Sequence, residues 1–363
     1  MENKLLSESV FLKACRCENT DYTPIWLMRQ AGRYMKEYQD IRSKVPFLEL
    51  CRSPELATEV MVTAVERLGV DAAIIFSDIL LILQPMGLEL EYIEGVGPVL
   101  HNPVRTPEQA QMLKEVEPKE SLSYVFDVVK STRSALPSGL PLIGFSGAPF
   151  TIASYIIEGG SSKNYQLTKQ FMYSHPTAWQ DLMELIVRAT VKYLKGQVEA
   201  GAQVLQVFDS WVGCLSPTDY RAFVFPYMKS LFGQLDSDIP TIHFGVSTAT
   251  LLKQQKEAGG SVIGLDFRVD IKKTWQEIGP IAIQGNLDPC VLYADRNTVR
   301  GQARRILDQV EGKNGHIFNL GHGILPTTPV DNVIELVDFV HEYSQKSGNL
   351  TRIIFSISYF IKD

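Results

Sequence analysis

The sequence predicts an α/β protein built as a single (β/α)8 TIM barrel. Three observations predict it. Eight short apolar runs are spread along the 363 residues. Stretches with helical start and stop signals lie between them. Polar side chains gather just past the carboxyl end of nearly every run. The runs show little polar alternation, which suits strands buried on both faces of a parallel sheet. One large barrel can use a chain of this length without subdivision.

Taken in order, the first run is Ile25 to Met28. Ser53-Pro54 then opens a helix that stops near Gly69, because a proline at the first helical position needs no N–H. Ala73 to Phe76 is the second run. Thr106-Pro107 opens the next helix, with Gln109 completing a capping box. Leu142 to Phe145 is the third run, and a Gly/Ser-rich stretch at Gly159 to Lys163 reads as a mobile loop. Val204 to Phe208 follows, then a helix opened by Ser216-Pro217, supported by Asp219 and stopped by Gly233. Thr241 to Phe244, Val262 to Leu265, Ile281 to Ile283 and His316 to Leu320 complete the eight runs. Thr328-Pro329 opens the last helix. A doubly wound open sheet is the structural alternative, but no Gly-x-Gly-x-x-Gly follows any run.

Composition bounds the function. Hydrophobic residues are 45% and charged residues 21%, which excludes wholesale disorder. With 35 Lys+Arg against 41 Asp+Glu, the net charge of −6 taken alone argues against a generic nucleic-acid or anion-binding protein. Five cysteines, apart from Cys15-x-Cys17 widely spaced, suggest no disulfide framework and a reducing, cytoplasmic setting. No run approaches the roughly 18 apolar residues of a membrane span. The expected domains are residues 1–346 as one barrel and 347–363 as a tail, in which Ile353 to Ile361 is apolar and β-prone.

In a barrel, the loops at the carboxyl ends of the strands build the site. Arg29 and Arg33 follow the first run, four residues apart. If the chain turns helical after Met28, they share a face, and paired guanidinium groups suit a carboxylate clamp or a structural ion pair. Asp78 ends the second run, either as a cap or as a carboxylate positioned to meet a developing cation. Tyr155 lies one or two turns into the helix after the third run, where a core role is the bland reading. Asp209 and Ser210 follow the fourth run, and either can serve as a cap. Asp266, Asn286 and Asp288 follow the sixth and seventh. His322 lies between Gly321 and Gly323, a flexible backbone that a ligand can approach closely. Metal ligation is poorly supported, since His316 and His322 have no helical spacing and no accompanying cysteine pair.

Longer matches give a resemblance. Pro24-Ile-Trp-Leu-Met-Arg-Gln-Ala-Gly-Arg-Tyr-Met-Lys-Glu-Tyr38 resembles the N-terminal signature of the uroporphyrinogen decarboxylases, and Gly144-Phe-Ser-Gly-Ala-Pro-Phe-Thr151 resembles their second signature. The likeness extends through Phe76-Ser-Asp-Ile79, the Tyr155 segment, Phe208-Asp-Ser-Trp211, Gln284-Gly-Asn-Leu-Asp288 and Asn319-Leu-Gly-His-Gly323. It implies one (β/α)8 barrel, working as a homodimer without metal or organic cofactor. It also implies removal of CO2 from the four acetate side chains of uroporphyrinogen III to give coproporphyrinogen III, in tetrapyrrole biosynthesis. By motif, Arg29 and Arg33 become carboxylate-binding arginines with the backbone of Gln30, Ala31 and Gly32 beside them. Asp78 becomes the central residue bonded to pyrrole N–H groups, and Tyr155, Ser210 and His322 become further substrate contacts. The catalytic set implied is Asp78, Arg29 and Arg33, with Glu158 to Asn164 expected to close over the substrate.

Two rival classes share features of this pattern. Corrinoid:thiol methyltransferases use the same barrel with zinc on a His-x-Cys pair and a later cysteine. Here the comparable pair is His243-x-Gly245, and His322 stands at the later place. A non-catalytic tetrapyrrole-binding protein is the other, and the full set of polar motif residues argues against it.

Overall fold

The computed structural model describes residues 2–345, so the tail from 347 and its apolar segment lie outside the described residues. Seven strands form one parallel sheet: β1 (Ala73–Ile74), β4 (Leu142–Gly147), β5 (Val204–Asp209), β6 (Thr241–Gly245), β7 (Val262–Gly264), β8 (Ala282–Gln284) and β9 (His316–Ile317). They pair in chain order from β1 to β9. Every residue of β4 and β6 is buried, as expected where helices cover one face and the sheet curls over its own interior on the other.

The first run, Ile25 to Met28, does not form a strand. It contributes one isolated parallel bridge, Ile25 to Phe318. The reason is local competition for its backbone. The Trp26 N–H reaches Phe318 O at 3.4 Å, and on the other side Ile25 O accepts the Asp71 N–H at 2.8 Å. The remaining donors go to side chains: Ile25 N–H to Asp71 Oδ2 at 2.7 Å, Leu27 N–H to Gln30 Oε1 and Met28 N–H to Asn319 Oδ1, both at 3.2 Å. The segment therefore lies between β1 and β9 without continuing a ladder.

The chain also makes an antiparallel hairpin that the eight-run reading lacks, β2 (Leu90–Ile93) with β3 (Gly97–Leu100). It is fastened to the helix that follows β4, Pro149–Glu158: Leu100 N–H donates to Gly159 O at 2.8 Å and Val104 N–H to Ile156 O at 3.0 Å.

Helix signals fared unevenly. Ser53 caps Pro54–Leu68, which ends at Gly69 with φ 67°, and the Thr106–Gln109 capping box forms on Pro107–Gln111. Ser216 caps its helix through the Asp219 N–H, but the helix breaks into Pro217–Phe223 and Phe225–Gly233. Pro226 has no N–H to offer the carbonyl four residues back, so the break sits just before it. Pro329 takes the cap position of Val330–Ser344, and the Thr328 hydroxyl is buried without a hydrogen-bond partner. No helix forms directly after Met28; the next one is Lys36–Arg42.

The interior of the curled sheet is polar at its centre. Trp26 Nε1 donates to Gln284 Oε1 at 2.8 Å, and Gln284 Nε2 to Gln206 Oε1 at 3.1 Å. Gln30 is wholly buried and joins the first segment to β1 by donating to Ala72 O at 3.1 Å. Gln30→Leu leaves the Leu27 N–H and the Ala72 carbonyl buried and unpaired. We expect it to lower stability by about 2–4 kcal/mol, read as a reduced urea midpoint; an unchanged midpoint would contradict this account of the first segment.

Candidate active site

The carboxyl ends of the parallel strands converge on one mouth, and most of the motif residues are there. Asp78 follows β1, partly buried. Its Oδ1 accepts the Leu80 N–H at 2.8 Å, a tight turn that fixes the carboxyl direction. Burial pushes its carboxyl above the ordinary aspartate range, while the Tyr92 hydroxyl, the Leu80 N–H and the Arg29 charge pull the other way.

Arg29 has a left-handed backbone, φ 65°. Its exposed side chain runs over Gly323, where an added Cβ would stand 2.6 Å from Arg29 Cδ. Gly32 is required for a similar reason, since a Cβ there would meet Arg29 O at 2.8 Å. Arg33 is also exposed, and its carbonyl accepts the Gln39 side-chain N–H at 2.7 Å. Residues 29–33 form turns, so the two arginines do not share a helix face as the spacing suggested. Among the described residues neither guanidinium forms a salt bridge, which leaves both free for an anion.

Tyr155 stands on the helix Pro149–Glu158 and stacks on Trp211, ring centroids 3.8 Å apart at 30°. Burial first, and the nearby Asp78 charge second, hold its phenol far above its ordinary value, so it remains a neutral hydroxyl. Thr151 on the same helix positions this pair: it accepts the Trp211 N–H and donates to Asp209 Oδ1, both at 3.3 Å. Asp209 is fully buried, and His243 Nε2 stands 3.9 Å from its other oxygen. Asp209 is thus a structural anchor, and Ser210 beside it is the partly exposed residue at the end of β5.

His322 lies near Arg29, and burial followed by the Arg29 charge pushes its imidazole below the ordinary histidine value. The glycines around it leave room for neighbouring protein atoms. A Cβ at Gly321 would fall 2.1 Å from Phe267 N, and Gly323 is filled by Arg29. Arg29, Asp78, Tyr155 and His322 therefore form one electrostatic cluster.

Other sequence candidates have structural tasks. Asp266 is buried and accepts the Arg268 N–H and Nη1–H at 3.0 and 2.9 Å. Asn286 donates to Asp266 O and Val269 O, and Asp288 caps the turn at Cys290. Gln30 has both side chain and N–H engaged inside the fold. Glu158, at the start of the expected closing segment, is pinned by the Thr168 N–H and hydroxyl, both at 2.9 Å, and Gly160 packs on Pro98 O. Tyr92 and the stacking role of Trp211 escaped the motif reading. The alternation Leu90–Tyr92 before Gly95-Val96-Gly97 was the available signal for the hairpin.

The family model for uroporphyrinogen decarboxylase matches residues 6–343. The chain belongs to the uroporphyrinogen decarboxylase family. Relatives of that name agree: the protein of Carboxydothermus hydrogenoformans is 52% identical over 339 residues, 93% of this chain and 97% of its own. That of Geobacter metallireducens is 49% identical over 338 residues, 93% of this chain and 99% of its own. Among solved structures, a methyltransferase from Methanosarcina mazei matches with a TM-score of 0.78 at 19% identity, covering 93% of this chain and 98% of that one. That likeness shows the shared α/β fold with a curled parallel sheet.

Within this family frame, the Gly323–Arg29 contact makes a separable prediction. Gly323→Ala displaces a flexible, exposed arginine rather than backbone. We expect weaker binding of a polycarboxylate tetrapyrrole with a nearly unchanged thermal midpoint; unchanged affinity would show that Arg29 does not hold the ligand.

Proposed function

We propose that this chain removes CO2 from the four acetate side chains of uroporphyrinogen III, giving coproporphyrinogen III, with no metal or organic cofactor. One observation carries the reading: a partly buried carboxylate, Asp78, held by the Leu80 N–H, follows the first strand of a chain that matches relatives of that name along nearly its whole length.

The chemistry explains why these groups suit the task. Loss of CO2 from an arylacetate leaves an electron pair on carbon, and an electron-rich pyrrole is a poor sink. A proton added to the ring carbon beside the acetate-bearing carbon makes the ring a cation. The bond to the carboxylate then breaks, CO2 leaves, and its electron pair neutralises the ring as an exocyclic methylene. The methylene carbon takes a proton and the ring carbon returns one, so each acetate becomes a methyl group for one net proton consumed. Asp78 gathers the pyrrole N–H groups and stabilises the cation; a fixed carboxylate in a partly dry site does this better than water.

Arg29 and Arg33 bind substrate carboxylates, with the Ala31–Gly32 backbone between them and Gln30 supporting it from within. A guanidinium holds its proton up to a pH of about 12 and above, so the arginines hold the carboxyl group or water that delivers the proton. Tyr155, Ser210 and His322 complete the contacts. The segment Ile25 to Met28 closes the sheet as the eighth stave of a barrel. Its bridge to Phe318 and the Asp71–Ile25 hydrogen bond support this. Residues 1–346 act as one unit with 347–363 outside it, in keeping with the matched span of 6–343. Family resemblance supports a homodimer, and the cysteine usage supports a cytoplasmic setting.

The test is CO2 release from uroporphyrinogen III in chelator-treated buffer. The wild-type chain releases four CO2 per substrate, and Asp78→Asn slows turnover on the order of 10²–10³-fold. Near-normal turnover by Asp78→Asn would refute the assigned role.

A further inference from the structure

The hairpin β2–β3 places a residue against the site that the reaction scheme leaves unused. Tyr92 stands in the middle of β2, opposite Pro98. Its ring packs on Phe47, centroids 4.7 Å apart, and Phe47 packs in turn on Phe76, two residues before Asp78. This aromatic row fixes where the Tyr92 hydroxyl points. That hydroxyl is buried and makes no hydrogen bond of ordinary length among the described residues. A buried hydroxyl left in that state costs free energy unless a partner arrives. Asp78 is the charged group whose field acts on it.

We propose that Tyr92 is a positioning residue whose hydroxyl donates to Asp78 and holds that carboxylate charged and aimed into the site. The Leu80 N–H already occupies Asp78 Oδ1 at 2.8 Å. A second donor from the hairpin fixes the carboxyl plane from the other side, where a single donor leaves it free to rotate. The proposal rests on the role given to Asp78 above.

The groups around Asp78 set the sign of the effect. They are Arg29 from the first loop, Cys51 from the helix Phe47–Arg52, Tyr92 from the hairpin, Tyr155 from Pro149–Glu158 and Tyr193 from Pro176–Ala200. Burial disfavours the Asp78 charge; Tyr92, the Leu80 N–H and Arg29 favour it. Removing the hydroxyl therefore raises the pH at which Asp78 ionises, and activity that needs the carboxylate fails earlier as pH falls.

Tyr92→Phe keeps the ring on Phe47 and deletes only the hydroxyl. Three readouts test it. In protein labelled with ¹³C-aspartate, with Asp78 assigned by its loss in Asp78→Asn, the Asp78 titration midpoint rises by about one pH unit, the scale of one hydrogen bond to a charged group. The acid limb of kcat/KM for uroporphyrinogen moves up with it, and the rates converge at the alkaline end. In an Asp78→Asn background, Tyr92→Phe adds no further loss. Superimposable Asp78 titrations, or a full further loss in the Asp78→Asn background, would overturn the proposal. If the wild-type chain releases no CO2, the reading of the reaction fails, and the NMR titration still decides the role of Tyr92.

Discussion

The need to surround the partly buried Asp78 carboxylate with donors organises the mouth of this fold: the Leu80 N–H holds it at 2.8 Å, and the Arg29 charge acts on it from beyond salt-bridge distance. A carboxylate that is partly removed from water is costly unless donors and cations face it. The surrounding chain meets that need by geometry that has little local justification. Arg29 takes a left-handed backbone, Gly323 gives its side chain a floor, and the Leu80 N–H turns the carboxyl inward. Trp211 and Tyr155 wall the site, held by Thr151 and the buried Asp209. Each piece is local, yet each serves the same small volume.

This arrangement reconciles an acidic protein with an anionic substrate. The net charge of −6 belongs to the whole chain, while binding responds to the field at one mouth. Arg29 and Arg33 stand there without salt bridges among the described residues, whereas Arg188, Arg221 and Arg300 on outer helices are each paired with a glutamate. His322, kept neutral by burial and by Arg29, adds a hydrogen-bonding group rather than a third charge.

The buried runs were legible because parallel strands covered on both faces must be apolar, and β4 through β9 appear where such runs occur. The segment Ile25 to Met28 has the same composition but a different fate. Asp71, Gln30 and Asn319 take its donors, and side chains from 46, 3 and 291 residues away leave no periodic trace. The hairpin is hard to read from the sequence because β2 and β3 are half exposed and carry no continuous buried apolar run. Asp78, Arg29 and Tyr155 were readable as motif residues. Their convergence was not, since the helix assumed for Arg29 and Arg33 is a set of turns. Tyr92 was invisible because its importance lies in what its hydroxyl faces. The glycines flanking His322 read as room for a ligand; in the structure the space a Cβ would take belongs to the Phe267 backbone and the Arg29 side chain.

The central claim is that Asp78 meets the pyrrole nitrogens of a bound tetrapyrrole while the arginines meet its carboxylates. A crystal structure of the chain with coproporphyrinogen III tests it most directly. The account predicts pyrrole nitrogens within hydrogen-bond distance of the Asp78 carboxylate and propionate oxygens on Arg29 or Arg33. A tetrapyrrole seated with no nitrogen in reach of Asp78 would contradict it.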